Sequence, residues 1–188
     1  MKINAIQIRA GHVLEHQGKR YTVLSNTILQ PGKGSAFVQV EMRDIATGTK
    51  VNQRWRTQES VERLHVEEHL CQFLYMEGTN ITLMDKESYE QYSLSQEMLG
   101  KAQRFLQDGM EVAVDFIDGE AVSVRLPPTV TLTVREADPV IKGQTATSSY
   151  KSALLDNGVK TMVPPHISVG DGVVINTLDG SYVEKAKS

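Results

Sequence analysis

The chain has 188 residues, of which 40% are hydrophobic and 23% are charged, values that fit a globular protein and exclude a disordered or collagen-like chain. No apolar run reaches the roughly 18 residues that a membrane-spanning helix needs, and the first residues lack the apolar core of a signal peptide. The single cysteine, Cys71, excludes an intrachain disulfide and suits a reducing compartment. We therefore expect a cytoplasmic protein with no membrane association.

The formal net charge of −3 hides an uneven distribution along the chain. Residues 1–63 carry ten Lys and Arg against five Asp and Glu, whereas residues 64–127 carry four against twelve. Residues 128–188 carry six of each kind. A basic first third beside an acidic middle suggests an anionic partner that contacts one end of the chain, with chance variation among small domains as the competing explanation.

The first third predicts short strands separated by turns. Alternating apolar and polar positions mark strands at residues 12–16, 19–28, 37–42 and 50–57. Several short strands at regular spacing indicate a small barrel or sandwich, with room for only one or two turns of helix.

One loop of this third stands out, Pro31-Gly32-Lys33-Gly34-Ser35-Ala36. Proline fixes its φ and has no N–H to donate, while glycine admits positive φ, so the chain can reverse tightly here. We predict a β-hairpin whose tip presents the long cationic side chain of Lys33. On local grounds alone, an ordinary solvated turn lysine is the simpler interpretation.

The middle and last thirds are also predicted to be β-rich. Residues 95–106 are the best helix candidate, with Ser95 as N-cap and apolar residues at helical spacing. Residues 110–117 and 121–126 then read as a hairpin, and Pro127-Pro128 marks the clearest boundary. The predicted fold is all-β, with three small barrels in series at residues 1–63, 64–127 and 128–188 and a short helix in the middle one.

Three patterns that could carry chemistry are weak. His65-Val66-Glu67-Glu68-His69 has the H-x-x-E-H spacing of inverted zincins, which needs both histidines on one helix face. The surroundings read as strand, where side chains four residues apart lie about 13 Å from each other, so solvent-facing polar residues are favoured. Gly32-Lys33 lacks the flanking residues of a phosphate-binding loop. Cys71 lies in an apolar alternation and is expected in the core rather than as a nucleophile.

The basic residues of the first third include Arg43, Arg54, Arg56 and Arg63. Lys and Arg on a small barrel can grip phosphates without reading bases, so this end could contact nucleic acid. Trp55, between two of these arginines, is expected in the core rather than as a stacking platform.

Together these features resemble bacterial elongation factor P, and the resemblance covers the whole chain. That family has a KOW/SH3-like N-domain and two OB-type barrels, with a Pro-Gly-Lys-Gly tip that is here Pro31-Gly32-Lys33-Gly34. Its C-terminal signature is Lys-x-Ala, four residues, Gly, two residues, an apolar residue and x-Val-Pro. It is found here from Lys151-Ser152-Ala153 through Gly158 to Val163-Pro164, with Thr161 in the apolar slot.

The resemblance implies a function. Such factors bind the ribosome beside the peptidyl-tRNA, between the peptidyl and exit sites, and restart synthesis stalled at consecutive prolines. Lys33 would reach the peptidyl-transferase centre beside the CCA end of the tRNA. In many members this lysine is extended, often by a β-lysyl group, so a lysine-modifying enzyme is an implied partner. No catalytic residue, metal or other cofactor is implied, and we expect a monomer.

The resemblance also implies tRNA and ribosome contacts in the last third. The family loop Gly-Asp-Thr-Ala, which contacts the tRNA D-arm, is here Gly143-Gln144-Thr145-Ala146, so a carboxylate is replaced by an amide that can still hydrogen-bond. Lys151 and Tyr182 match the family, whereas Lys185 replaces an arginine and loses its bidentate fork. Ser35 stands next to the tip where glycine is common.

Two other functions stay open at the level of sequence. A general RNA-binding or transcription-associated KOW/OB module would share the fold but have no peptidyl-transferase role. A zinc hydrolase would use His65 and His69.

Overall fold

The computed structural model describes residues 1–139 and 149–187. The chain is all-β, with three small antiparallel barrels in series and two short 3₁₀ segments, as the alternation of apolar and polar residues predicted. No helix in this part of the chain is long and apolar enough to cross a membrane.

The N-terminal sheet has six strands in the order β1-β6-β2-β3-β4-β5. Their bounds are β1 Lys2–Asn4, β2 Val13–His16, β3 Lys19–Leu29, β4 Phe37–Asp44, β5 Lys50–Arg56 and β6 Ser60–Leu64. A 3₁₀ turn, Ala5–Gln7, follows β1. The core under the sheet includes Leu14, Val38, Val40 and Met42, which are buried because alternate residues of each strand face inward.

The middle sheet has five strands in the order β11-β10-β7-β8-β9. The strands are β7 Glu67–Glu77, β8 Asn80–Asp85, β9 Gln91–Ser95, β10 Glu111–Ile117 and β11 Glu120–Arg125. The predicted helix exists as a 3₁₀ segment, Gln96–Phe105, whose N-cap Ser95 accepts a hydrogen bond from the Glu97 N–H. It is not one continuous helix, because Gly100 takes a non-helical φ of 56° that divides it into two short pieces.

The C-terminal sheet has five strands in the order β14-β13-β12-β15-β16. The strands are β12 Thr129–Ala137, β13 Lys151–Leu155, β14 Lys160–Val163, β15 Gly172–Asn176 and β16 Tyr182–Lys185. Strand β12 is central: its first half pairs with β15 and its second half with β13. The pairing with β13 contains a register shift between Val134 and Glu136. Phe105 from the 3₁₀ segment is only 1% exposed and packs into the core of this sheet with Ala153, Leu155 and Val163.

The described residues pack as two units. The first holds residues 1–68 with the tip of the β10–β11 hairpin, residues 115–123, and the second holds residues 69–114 with 124–139 and 149–187. Within the first unit, the Arg20 guanidinium lies 3.2 Å from the Glu120 carboxylate. The boundaries at residues 63 and 127 that the sequence suggested stay predictions.

The same turn closes one hairpin in each of the three sheets. The side chain of the residue that ends a strand accepts hydrogen bonds from the backbone N–H groups two and three residues later, at 2.8–3.4 Å. The N–H four residues later donates to the carbonyl of that same residue at 2.8–3.0 Å. The accepting residues are the last residues of three strands, Asp44 of β4, Asp85 of β8 and Asn176 of β15.

Candidate functional site

The candidate site is the loop of residues 30–36 between β3 and β4, which we name the tip loop. The two strands pair in antiparallel register up to Leu29 opposite Phe37, so the loop closes the far end of a long hairpin. Residues 30–35 are all exposed. The hairpin that the sequence predicted is therefore present, with a seven-residue loop rather than a tight turn.

Lys33 lies in the middle of the tip loop with an exposed side chain. Within the residues that the structure describes, it makes no hydrogen bond and no ion pair. Its ammonium group is thus available for an external acceptor, and a lysine side chain supplies three donors on a long stem.

The two glycines of the tip loop play different parts. Gly34 has a φ of +117°, a backbone conformation that L side chains rarely adopt, whereas Gly32 does not have a positive φ. No atom lies within 4 Å of a Cβ built on either glycine, so neither is required by local crowding within the described structure. Gly34 alone uses the conformational freedom that the sequence assigned to both.

The stem beneath the tip loop is held by the core. Val38 and Val40 of β4 are fully buried, and Trp55 of β5, opposite Val38, is 8% exposed. Trp55 packs in this core, as the sequence predicted. The centroids of the Trp55 and His16 rings lie 5.3 Å apart, and the two rings are nearly perpendicular. The barrel therefore places this loop, whose last residue is also joined to it because the Ala36 carbonyl accepts a hydrogen bond from the Thr57 N–H at 3.4 Å.

The face opposite Trp55 carries arginine. Arg54 and Arg56 are exposed on β5 and lie opposite Gln39 and Phe37 of β4. The Arg54 guanidinium lies 5.3 Å from the centroid of the Phe37 ring, a cation–π contact at the base of the tip loop. Strand β5 therefore presents a cationic face beside the β3–β4 hairpin, close to the tip loop.

The predicted contact residues of the last third are placed in part. Lys151 begins β13 opposite Val163, and Tyr182 begins β16, where burial raises the pKa of its hydroxyl. The Lys185 ammonium lies 3.6 Å from the Asp171 carboxylate, whose pKa is lowered chiefly because the Ser168 N–H donates to it. The predicted loop Gly143-Gln144-Thr145-Ala146 lies outside the described residues.

The C-terminal signature consists of core and turn residues. Ala153 and Val163 are buried in the sheet, and Gly158 has a φ of +86° in the turn between β13 and β14. Thr161, in the slot that the family fills with an apolar residue, is also buried, and its hydroxyl donates to the Gly180 carbonyl at 2.7 Å. A hydroxyl is tolerated there because it is hydrogen-bonded.

The two histidines of the H-x-x-E-H segment have different surroundings. His69 is half-buried rather than solvent-facing, and its Nδ1 lies 2.6 Å from Oδ2 of the buried Asp85. His65 is exposed. Within residues 1–139 and 149–187, no three His, Cys, Asp or Glu residues are grouped so that they could hold a metal ion.

Cys71 is fully buried, as predicted. Burial raises the pKa of its thiol to about 11, so the thiolate that a nucleophile requires is scarce near neutral pH.

Comparison with known proteins agrees with this arrangement. Three family models match successive parts of the chain: "Elongation factor P (EF-P) KOW-like domain" at residues 4–61, "Elongation factor P (EF-P) OB domain" at 66–124 and "Elongation factor P, C-terminal" at 130–185. The chain is 57% identical over 187 residues to elongation factor P of Rhodospirillum rubrum and equally to that of Gluconobacter oxydans, and each match covers both chains completely.

A solved structure described as eukaryotic translation initiation factor 5A from Methanococcus jannaschii is similar in fold. It superposes with a TM-score of 0.55 at 22% identity and covers 68% of this chain and 92% of its own. A likeness at this identity supports the fold alone, whereas the full-length matches above 50% identity define the family. The chain therefore belongs to the elongation factor P family and is a translation elongation factor.

Proposed function

We propose that this factor binds the ribosome beside the peptidyl-tRNA and places the side chain of Lys33 next to the CCA end of that tRNA. The observation that carries the proposal is an exposed lysine without a partner in the described structure, at the end of a hairpin whose stem is fixed in a core. The cationic face formed by Arg54 and Arg56 would contact phosphates of the RNA near the tip.

The proposed mechanism is positioning, and the chain supplies no catalytic group. Proline is a rigid and poor substrate for peptide-bond formation, so synthesis stalls where prolines follow one another. A group that holds the peptidyl-tRNA in a reactive geometry lowers the entropic part of the barrier. The ribosome performs the chemistry, and the factor relieves the stall as a cytoplasmic monomer.

The exposed position of Lys33 would also admit a modifying enzyme. We propose that a β-lysyl-type group is joined through an amide bond to the ε-nitrogen, which gives up protons in the process, so that the arm is lengthened and carries a new amine at its end. The narrow backbone on either side, at Gly32 and Gly34, leaves the nitrogen open to an enzyme's active site.

Contacts at the other end of the chain complete the proposal. The loop Gly143-Gln144-Thr145-Ala146 would contact the D-arm of the tRNA, and Lys151, Tyr182 and Lys185 would contact the tRNA or the ribosome. The Asp171 carboxylate lies 3.6 Å from the exposed Lys185 ammonium, and an anion of the tRNA or the ribosome would compete with it for this lysine.

The test is a toeprinting assay on a message that encodes consecutive prolines. Wild-type protein should relieve the stall, and Lys33→Ala should not. Lys19→Ala is the matched control, because Lys19 is an exposed lysine at the start of β3, the strand that leads into the tip loop. Full stall relief by Lys33→Ala would contradict the proposal.

The modification has a separate test. The intact mass of protein purified from its native host should exceed the sequence mass by a small adduct, and peptide mapping should place that adduct on Lys33. An unmodified Lys33 in protein that relieves the stall would show that the lysine itself suffices.

A further inference from the structure

Tyr89 occupies the last position of the turn between β8 and β9, where it has a φ of +61°. The equivalent residues of the other two turns of this type are Gly48 and Gly180, with φ values of +76° and +77°. Only glycine adopts this conformation without steric strain, and a bulky residue there is an outlier. The middle domain therefore has an aromatic side chain at a position where the same turn in the other two sheets has glycine.

Local packing does not explain Tyr89. Its side chain is 70% exposed, so it contributes little to any core. The only other non-glycine residues with positive φ in the described structure are Gln17 and Asp118, and each precedes a glycine in a two-residue hairpin turn that requires that conformation. The turn at residues 85–89 also requires a positive φ, but glycine meets that requirement at Gly48 and Gly180, so neither the turn nor the core requires a tyrosine. A bulky residue kept in a strained conformation is a feature of functional positions.

The surroundings of Tyr89 are acidic. Glu87 and Glu90 of the same turn are exposed, and the Tyr92 hydroxyl donates to the Glu90 carboxylate at 2.8 Å. The one basic residue of the turn, Lys86, forms a salt bridge with Glu111. The turn thus presents a negative surface, in keeping with the twelve Asp and Glu against four Lys and Arg in residues 64–127.

A second exposed apolar side chain is tied to this turn. Leu70 of β7 is 47% exposed, and its carbonyl accepts a hydrogen bond from the Lys86 N–H at 3.0 Å. The strand joined to this turn therefore carries an exposed aliphatic side chain in addition to the exposed ring of the turn, and exposed apolar side chains with charged surroundings are typical of interfaces.

We propose that Tyr89, supported by Leu70 and the surrounding carboxylates, anchors a docking surface for a basic protein surface. The exposed ring would supply contact area with few rotatable bonds, and the carboxylates would pair with Lys and Arg of the partner. A nucleic-acid backbone is disfavoured because its phosphates would face carboxylates. This inference rests on the proposed function, because it takes the partner to be a protein of the ribosome.

The conformation of Tyr89 makes a sharp experiment possible, because the substitution that relieves the strain also removes the ring. Tyr89→Gly should leave the melting temperature unchanged or raise it, yet weaken binding to purified ribosomes about tenfold or more. Tyr89→Asn, which also tolerates positive φ, should behave in the same way. Tyr89→Phe should bind like wild type if the ring is the anchor.

Charge provides an independent test with a matched control. Glu87→Lys should weaken ribosome binding, and the difference from wild type should shrink as salt rises. Glu77→Lys is the control, because Glu77 is an exposed carboxylate at the opposite end of the β7–β8 pair, away from the turn.

A photo-crosslinking residue at position 89 identifies the partner. Crosslinking to a basic protein of the ribosome supports the inference, whereas crosslinking to RNA or to a second copy of this chain overturns it. Ribosome binding by Tyr89→Gly equal to that of wild type also overturns it. If wild-type protein itself fails to bind ribosomes, the proposed function fails, and the inference in its present form fails with it.

Discussion

The tip loop and the hairpin of the C-terminal signature both identify the family by sequence, but the structure gives them opposite surroundings. Residues 30–35 are exposed, and Lys33 has no partner within the described residues. The signature at residues 151–164 places Ala153, Thr161 and Val163 in a core and Gly158 in a left-handed turn. A motif whose side chains are satisfied inside the fold maintains the fold, whereas one whose side chains are left unsatisfied points to a partner.

This contrast predicts how substitutions divide. Changes in and around the signature should lower the free energy of unfolding. They should affect translation only because less of the protein is folded. Removal of the Lys33 side chain at the tip should leave the free energy of unfolding nearly constant and remove function directly.

Phe105→Ala should be the most destabilising change. Phe105 is 1% exposed and fills the core of the C-terminal sheet, and removing a buried aromatic ring costs about 3–5 kcal/mol. Urea unfolding followed by circular dichroism measures the loss. Met98→Ala in the same 3₁₀ segment is the control and should cost far less, because Met98 is 40% exposed.

Thr161→Ala should cost about 1–2 kcal/mol, because the buried Gly180 carbonyl loses the hydroxyl that donates to it. Thr161→Val keeps the volume and separates packing from hydrogen bonding. If the valine variant is as stable as wild type, the hydrogen bond contributes nothing and the residue acts by shape alone. The same urea titration measures both variants.

Gly34→Ala should lower the free energy of unfolding, whereas Gly32→Ala should leave it unchanged or raise it slightly. The alanine at position 34 must adopt a φ of +117°, which costs about 1 kcal/mol, whereas position 32 lacks a positive φ and should be neutral or slightly stabilised. Equal effects in thermal unfolding would contradict the assigned roles of the two glycines. If the shape of the tip matters for function, Gly34→Ala should also reduce stall relief.

The hairpins and the three-barrel fold were predictable because apolar alternation and turn residues are local signals. Strands β1 and β6 were not predicted, since each is short and they pair with each other across almost sixty residues of chain. The 3₁₀ segment was predicted with its N-cap, but apolar spacing could not show that Gly100 would divide it.

The candidate site was predictable only at its centre. The sequence placed Lys33 at a hairpin tip, since Pro and Gly flank it between two alternating segments.

The sequence did not single out Tyr89 in the middle domain, because a tyrosine carries no local sign that its φ will be positive. The one available signal was indirect. Three segments of the chain form the same turn, and two of them have glycine at the fifth position, Gly48 in residues 44–48 and Gly180 in residues 176–180. The third, residues 85–89, has Tyr89 at that position.

The most direct test of the central claim, that Lys33 acts and the rest of the chain positions it, is stall relief measured against protein concentration. Lys33→Ala should unfold within about 0.5 kcal/mol of wild type and still bind ribosomes, but show no stall relief even at saturating concentration, because the acting group is missing. A Lys33→Ala variant that reaches the wild-type plateau, at any concentration, would contradict the account.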